Sequence, residues 1–529
     1  ICTQEVRAVS VVDANNQVIY EIIEGTQTVE ISSTQSQSSN NGTLVLPKTV
    51  TDENTESVNY GKTFTVVAMQ PRAFQNCPIE AVIIEAEIPE IPEYAFSGCW
   101  NMQSLTLPET VTSISTSAFS SCSSLTSVVT GPNLEIIGDH AFDYCYGITE
   151  FNLSASTRLH SIGQYAFYYC SNMPFPAFPA LETLSIGRSA FSSCNKLGKV
   201  VIPQNAQIGR QSFASSTITE LTFPTEGNWR FGIPEDGGQP GWFVFNYATL
   251  PETVIIPSSA NVVPNYAFES CYGLKTLVIE DNPELVVGEN ACLRSSSLQA
   301  VEFKGKVKSI EKSAFENTGL KAIALPPCEK LGARAFANNY NLADISFPDT
   351  EIPLILSDLF IDCSSITEAV LPDWMKEVPV SIFQDCYSLK TVTFPLNLEI
   401  IREEAFSGTA LELPEENSLP ASLREISTLA FNGVSTIGKI ALPASLEYIS
   451  IRAFANCSNL QISNFDQLSA LKKVGEGAFM NCTSLTSIKF PANLELVGAS
   501  VTGYPYDNLT LGSFQGCANP VSYTHLRAH

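Results

Sequence analysis

Apolar and polar positions along this chain recur together with a period of about 23 residues. One unit reads Leu105, Leu107, Pro108, Val111, Ile114, Ala118, Phe119 and Cys122; another, far downstream, reads Ile440, Leu442, Pro443, Leu446, Ile449, Ala453, Phe454 and Cys457. The opening stretch alternates apolar residues at period two, which predicts a short strand with its apolar side inward. The proline that follows has no N–H for further ladder pairing and ends the strand. The next apolar pair turns the chain, and Ala-Phe sets a small residue for close approach beside a large filler. A unit this short cannot bury its apolar face alone, so neighbours must stack. The pattern therefore predicts a repeat solenoid, growing in one dimension without a larger central core.

Ala-Phe is usually followed three positions later by cysteine, as in the pairs Phe96/Cys99, Phe119/Cys122, Phe142/Cys145, Phe167/Cys170, Phe191/Cys194, Phe454/Cys457 and Phe479/Cys482. Twelve of the fifteen cysteines hold this position; elsewhere it is Ser216, Ala248, Ser295, Thr318, Asn339, Thr409 or Val434. None of these replacements can form a disulfide, whereas a buried thiol behaves as a small hydrophobe with a weak donor. Free, buried cysteines that form a structural ladder are therefore expected, ahead of disulfides. No C-x-x-C pair occurs and spacings of 22 or more lack finger geometry, so no metal is expected.

The rhythm is not unbroken. Between Phe213 and Phe245 the interval swells to 32 residues, with an insertion at 225–244 that holds two of the four tryptophans. Insertions in solenoids map to loops on one face and are often the binding element. Trp229, Arg230, Phe231, Trp242 and Phe243 are accordingly the candidate ligand-binding residues. The alternative is that Trp229 and Trp242 fold back over the edge of a neighbouring strand. A second interruption, Gly503 to Asp507, carries the same two readings. The central outward strand column (Thr106, Val129, Asn152, Ser185, Val201, Thr222, Val370 and others) is small and nearly free of aromatics, unlike an interface hot spot.

Composition narrows the partners. A formal net charge of −25 argues against nucleic acid, which needs clustered Lys and Arg, and against an anionic membrane surface. No run of 18 or more apolar residues is present to span a bilayer. Catalytic motifs with G-x-S-x-G, H-E-x-x-H, P-loop or dinucleotide-binding spacing do not occur, and no enzyme activity or cofactor is expected. His140 and His160 fall at different repeat positions and read as surface residues. Sequons stand at Asn41, Asn152, Asn456, Asn481 and Asn508; two straddle ladder cysteines, where burial would block a glycan. Nothing forces a dimer, and a monomer is expected.

The A-F-x-x-C-x-x-L spacing, repeated over residues 61–520, resembles the BspA-like class of leucine-rich repeats of surface proteins. The resemblance implies a leucine-rich-repeat superhelix, β-rich, with one short parallel strand per repeat and loop or 3-10 turns on the convex side. It divides the chain into an N-terminal β-rich capping segment, 1–60, and an array of about 19 repeats, 61–520. Residues 521–529 abandon the pattern and are expected to be a non-native tail. The chain opens at Ile1 with no visible secretion signal, as a processed or truncated product would. By the same resemblance the protein is extracellular or at the cell surface. It would be a non-enzymatic adhesion protein with a protein or extracellular-matrix ligand. A structural spacer for a missing C-terminal module, and a glycan-binding accessory that uses the 225–244 aromatics, are the alternatives.

Overall fold

A polypeptide that buries a strand, a turn and a Phe every 23 residues satisfies its backbone only by pairing each turn with the next. A computed structural model shows this pairing over residues 10–13, 18–34, 42–232, 242–415, 419–486, 488–491, 494–499 and 512–517, the residues the structure describes. The chain divides into two compact units, Ile1–Leu274 and Lys275–His529. Each is built mainly of stacked turns with short parallel strands; the only helical turn among the described residues is the 3-10 segment Phe465–Gln467.

The first unit begins with a five-stranded sheet in the order β1-β2-β3-β6-β5, formed by β1 (Ser10–Asp13), β2 (Val18–Ile22), β3 (Thr28–Thr34), β5 (Thr49–Thr51) and β6 (Thr63–Met69). Its pairings are antiparallel except between β3 and β6. Strand β4 (Thr43–Leu46) leaves this sheet and pairs in parallel with Ala81–Ile84, so it is the first rung of the array. The leader and the array therefore interleave instead of meeting at a single boundary.

From there each turn supplies two strand segments. The first set runs Ala81–Ile84, Ser104–Thr106, Ser127–Val129, Glu150–Asn152, with Val82, Leu105, Val128 and Phe151 in register and buried. The second set is a seven-stranded parallel sheet from Glu90–Ile91 to Arg230–Phe231, with Ile91, Ile114, Ile137, Ile162, Ile186, Ile208 and Phe231 inward. One turn lacks the first strand. Pro174, Pro176 and Pro179 cannot donate to a ladder there, and Ser185 belongs to the second sheet, paired with Ser161. Ser185 therefore leaves the outward column that its spacing suggested.

In the second unit the same two sets recur, for example Glu368–Val370 on Thr391–Thr393 and a six-stranded sheet from Glu377–Val378 to Leu496–Ala499. Between the sets lies the Phe ladder. In the first unit Phe74, Phe96, Phe119, Phe142, Phe167, Phe191, Phe213, Phe245 and Phe268 stack in parallel with centroids 5.2–5.6 Å apart. From Phe315 to Phe514 in the second unit the spacing is 5.2–5.9 Å. Each ring is nearly or fully buried and contributes roughly 1.5–3 kcal/mol from burial alone. Cys292 fills one Phe slot, fully buried.

The described cysteines are all free, and the repeat cysteines form a ladder of donors. Cys99 Sγ donates to the Phe74 carbonyl of the preceding turn at 3.1 Å, and Cys122, Cys145, Cys170 and Cys194 repeat the bond. In the second unit Cys363, Cys386, Cys457 and Cys482 do the same. This explains two of the replacements, because Ser216 Oγ donates to Phe191 O at 2.6 Å and Asn339 Nδ2 to Phe315 O at 2.9 Å. Val434 cannot donate to Phe406, and there Thr409 Oγ1 supplies the bond from Phe406's own turn. Burial pushes the thiols up, Cys363 and Cys482 to about 12, so they stay protonated donors.

Candidate functional site

The segment around each Ala-Phe is the least regular part of the repeat and the one that reaches outward. Residues two before and two after each ladder Phe from Phe74 to Phe479 have left-handed backbones, among them Ser117 and Ser121 (φ 53° and 61°), His140 and Tyr144 (both 56°), Tyr165 and Tyr169 (55° and 59°). A side chain in this region costs about 1–2 kcal/mol. Turn-to-turn hydrogen bonding offsets it: His140 N, Phe142 N and Tyr144 N each donate to the next turn, to Gln164 O, Ala166 O and Tyr168 O, all at 2.8 Å. The Phe side chain points inward and the two left-handed residues flank it, so they form two parallel columns on the turn face. Where a glycine holds such a position, as at Gly98 (φ 74°), an added Cβ would also collide with Asn76 Oδ1.

In the first unit these columns carry rings. His140 stacks on Tyr165 at 4.9 Å and Tyr144 on Tyr169 at 5.4 Å. Tyr168 stands edge-on to Tyr144, Tyr165 and Tyr169. His140 Nδ1 lies 2.9 Å from Asp143 Oδ2. Further along, Phe243 stacks on Tyr266 at 4.5 Å with the Arg210 guanidinium 5.4 Å from its ring centre. The spacing of these residues was legible in the sequence; their outward direction was not, because it comes from positive φ.

The five candidate residues from the long interval separate into two groups. Trp229 is 3 % exposed and Phe231 2 %. Trp229 stacks on Phe223, and its Nε1 donates to Ser259 Oγ at 3.0 Å. Phe231 is an ordinary inward residue of the second strand set, bracketed by Asn261, which accepts from its N–H at 3.1 Å. A stacking platform needs an open ring face, and both rings are covered; neither can serve as one. Arg230 is exposed and donates to Gln207 Oε1. Trp242, 37 % exposed, and Phe243 sit on the turn face, with Tyr247 exposed beyond them. The extra length between the ladder rings falls at 233–241, outside the described residues, as do 503–507 and 521–529.

The strand face is plainer. Thr106, Val129, Asn152, Val201 and Thr222 point outward and are exposed. Two open clefts adjoin this architecture. One in the first unit, about 430 Å³, is lined by the Pro-rich stretch Phe175–Leu181 with Lys199 and Val201. One in the second unit, about 710 Å³, is lined by Leu354, Leu356, Trp374, Val380 and Arg402. The latter is not legible in the repeat pattern, because its residues come from separate repeats. Asn456 and Asn481, expected to be blocked by burial, are exposed; their amides instead bond in a chain from Asn481 to Asn456 to Asn432. No cluster of His, Cys, Asp and Glu suited to a metal occurs among the described residues, nor any helix long and apolar enough to cross a membrane.

Several solved structures resemble the chain. They include a leucine-rich repeat protein from Bacteroides ovatus, 22 % identical, covering 90 % of this chain and 99 % of that one with a TM-score of 0.48. The pneumococcal vaccine antigen PcpA is 17 % identical over 79 % and 93 % of the two chains, with a TM-score of 0.41. A leucine rich cell surface protein from Faecalibacterium prausnitzii is 18 % identical over 86 % and 93 %, with a TM-score of 0.31. No curated protein matches the chain at a significant level. The profile of the BspA type leucine rich repeat region matches six times, over residues 51–174, 124–229, 160–288, 240–340, 286–412 and 413–510. With stacked turns, parallel strands and a profile that spans most of its length, the chain belongs to the BspA-type leucine-rich repeat family.

Proposed function

We propose that this chain is a non-enzymatic binding protein of the cell surface or extracellular space that holds a protein partner against its repeat surface. Family membership supports a protein-binding role, and the reading places capture on the turn face beside the long interval. The observation that carries it is the exposed pair Trp242 and Tyr247 on either side of the half-buried Phe243, which packs on Tyr266 and Arg210, an assembly that includes the residue types that dominate interface hot spots. Arg230 lies on the second strand set of the same turn as Trp229 and extends the candidate surface. Adhesion to host or matrix proteins is the role proposed for this surface.

The test is to remove residues 233–241 and, separately, to make Trp242→Ala, then measure binding to a panel of immobilised matrix proteins by surface plasmon resonance. The reading expects at least one panel member to bind the unmodified chain and Trp242→Ala to weaken it about tenfold or more, as truncation of a hot-spot aromatic does. Equal binding by all three proteins removes this edge from the interface. Absence of binding by the unmodified chain across the panel favours a spacer. Binding to a glycan array instead would move the partner class to carbohydrate.

A further inference from the structure

A second surface in the first unit carries chemistry of its own. On the column two before each ladder Phe, three rings carry guanidinium groups from the chain itself. Arg72 lies 4.6 Å from the centre of Tyr94, Arg188 lies 6.0 Å from Tyr165, and Arg210 lies 5.4 Å from Phe243. On the column two after, Tyr144 and Tyr169 stack on each other, 37 % and 40 % exposed, with Tyr146 beside them 42 % exposed. Among the described residues no cation lies over these three rings. The neighbouring turns place Ser121 and Ser193 at the same position, so the two-turn step of rings stands between small residues.

The charge around this step is one-sided. Between Ser117 and Asn172 stand Glu135, Asp139, Asp143 and Glu150 against Arg158, which is paired with Glu135, and the nearest cation of the following turn, Arg188, is placed over Tyr165. The whole chain carries −25. Aromatic faces attract a guanidinium through the ring quadrupole, and a field of this sign draws cations towards them. Nearby carboxylates favour the same occupant and disfavour an acidic one.

We propose that the Tyr144–Tyr146–Tyr169 step is a docking site for arginine side chains of a basic protein segment, filling on this column the role that the chain's own arginines fill on the other. The site is separate from the Trp242 edge and stands or falls without it.

The probe is a fluorescein-labelled alanine peptide with arginine at every third position, beside its uncharged citrulline counterpart. Binding is read by anisotropy in about 1 M salt, where a Debye length of about 3 Å suppresses the long-range field of the chain. Tyr144→Ser/Tyr169→Ser keeps the net charge and installs the residue that neighbouring turns already hold at this backbone geometry. The expected result is about tenfold weaker binding by the double variant, the loss of two exposed cation–ring contacts, with a similar loss for the citrulline peptide. Tyr272→Ser, on an exposed ring outside the step, should leave binding within about twofold. Arginine binding that survives in the double variant, or citrulline binding as tight as arginine, overturns the proposal. Displacement of the peptide by a neutral glycan overturns it as well. If the double variant melts early, the citrulline comparison on the unmodified chain decides alone.

Discussion

The turn-face columns of the two units share a backbone and differ in almost everything else. In the first unit they hold Tyr94, His140, Tyr144, Tyr165, Tyr169, Phe243, Tyr247 and Tyr266 among serines. In the second they hold Asn290, Arg334, Asn338, Asp358, Asp362, Asp385, Glu404, Asn456 and Asn481, and no aromatic among the described residues. Positive φ, the inward Phe and the turn-to-turn hydrogen bonds are common to both. Scaffold and display are therefore separate layers: the ladder sets the position of an outward side chain, and the chemistry at that position varies freely.

The sharpest way to break this comparison is to attack the shared layer in each unit. Phe142→Ala and Phe383→Ala remove equivalent, fully buried rings, and each should lower stability by about 3–5 kcal/mol in urea denaturation. A loss under about 1 kcal/mol in either unit would show that the ladder does not carry both alike.

A smaller effect tests the polar columns of the second unit. Arg334 grips Glu316 through Nη2 at 2.8 Å and Nε at 3.3 Å, and Asn338 Nδ2 adds a bond at 2.9 Å. Burial pushes the Glu316 carboxyl up, but the bonds from Arg334, Ser313 and Asn338 outweigh it and hold the group below its usual value. Because the folded value is depressed, this contribution is present above the unfolded value and fades as pH falls through the folded one. Glu316→Gln should lower stability by about 1 kcal/mol at neutral pH, and the difference should shrink in acid. A pH-independent difference would deny the ion pair its role.

The smallest effect has the opposite sign. Burial raises the Asp362 carboxyl, and the neighbouring Asp385 adds to it. A raised folded value means that stability declines as pH climbs from the unfolded value through the folded one. Asp362→Asn should thus stabilise the protein by about 0.5 kcal/mol at neutral pH and do nothing below the unfolded value of 3.8. Destabilisation at neutral pH would mean that Asp362 accepts a hydrogen bond worth more than the repulsion.

Much of this scaffold could be read before any coordinates, because burial repeats at fixed spacing and periodicity is what a sequence displays best. The prediction of stacked Phe119 and Phe142 follows from pattern alone. The Cys122 thiol is different: its replacements pointed to a small side chain, while its bond to the Phe96 carbonyl depends on how one turn sits over the next. Trp229 misled for a related reason. Its indole looked like part of an insertion, yet the second strand of that turn runs through Arg230 and Phe231, and the surplus chain comes afterwards. Tyr144 and Tyr169 are not legible as a pair, because residues 25 apart become neighbours only when the repeat length of that one turn is known.

The spacing of the outward rings limits what can be recognised over several turns at once. In the first unit, ring pairs on the columns are 4.5–5.4 Å apart. An extended chain presents same-side residues every ~6.8 Å, so it drifts a full turn out of step after about two to four of them. An α-helix advances ~5.4 Å per turn, matches the Tyr144–Tyr169 spacing and slips more slowly against the others. A partner that followed such a column over several turns would therefore be sorted by its periodicity, strands falling out of step sooner than helices.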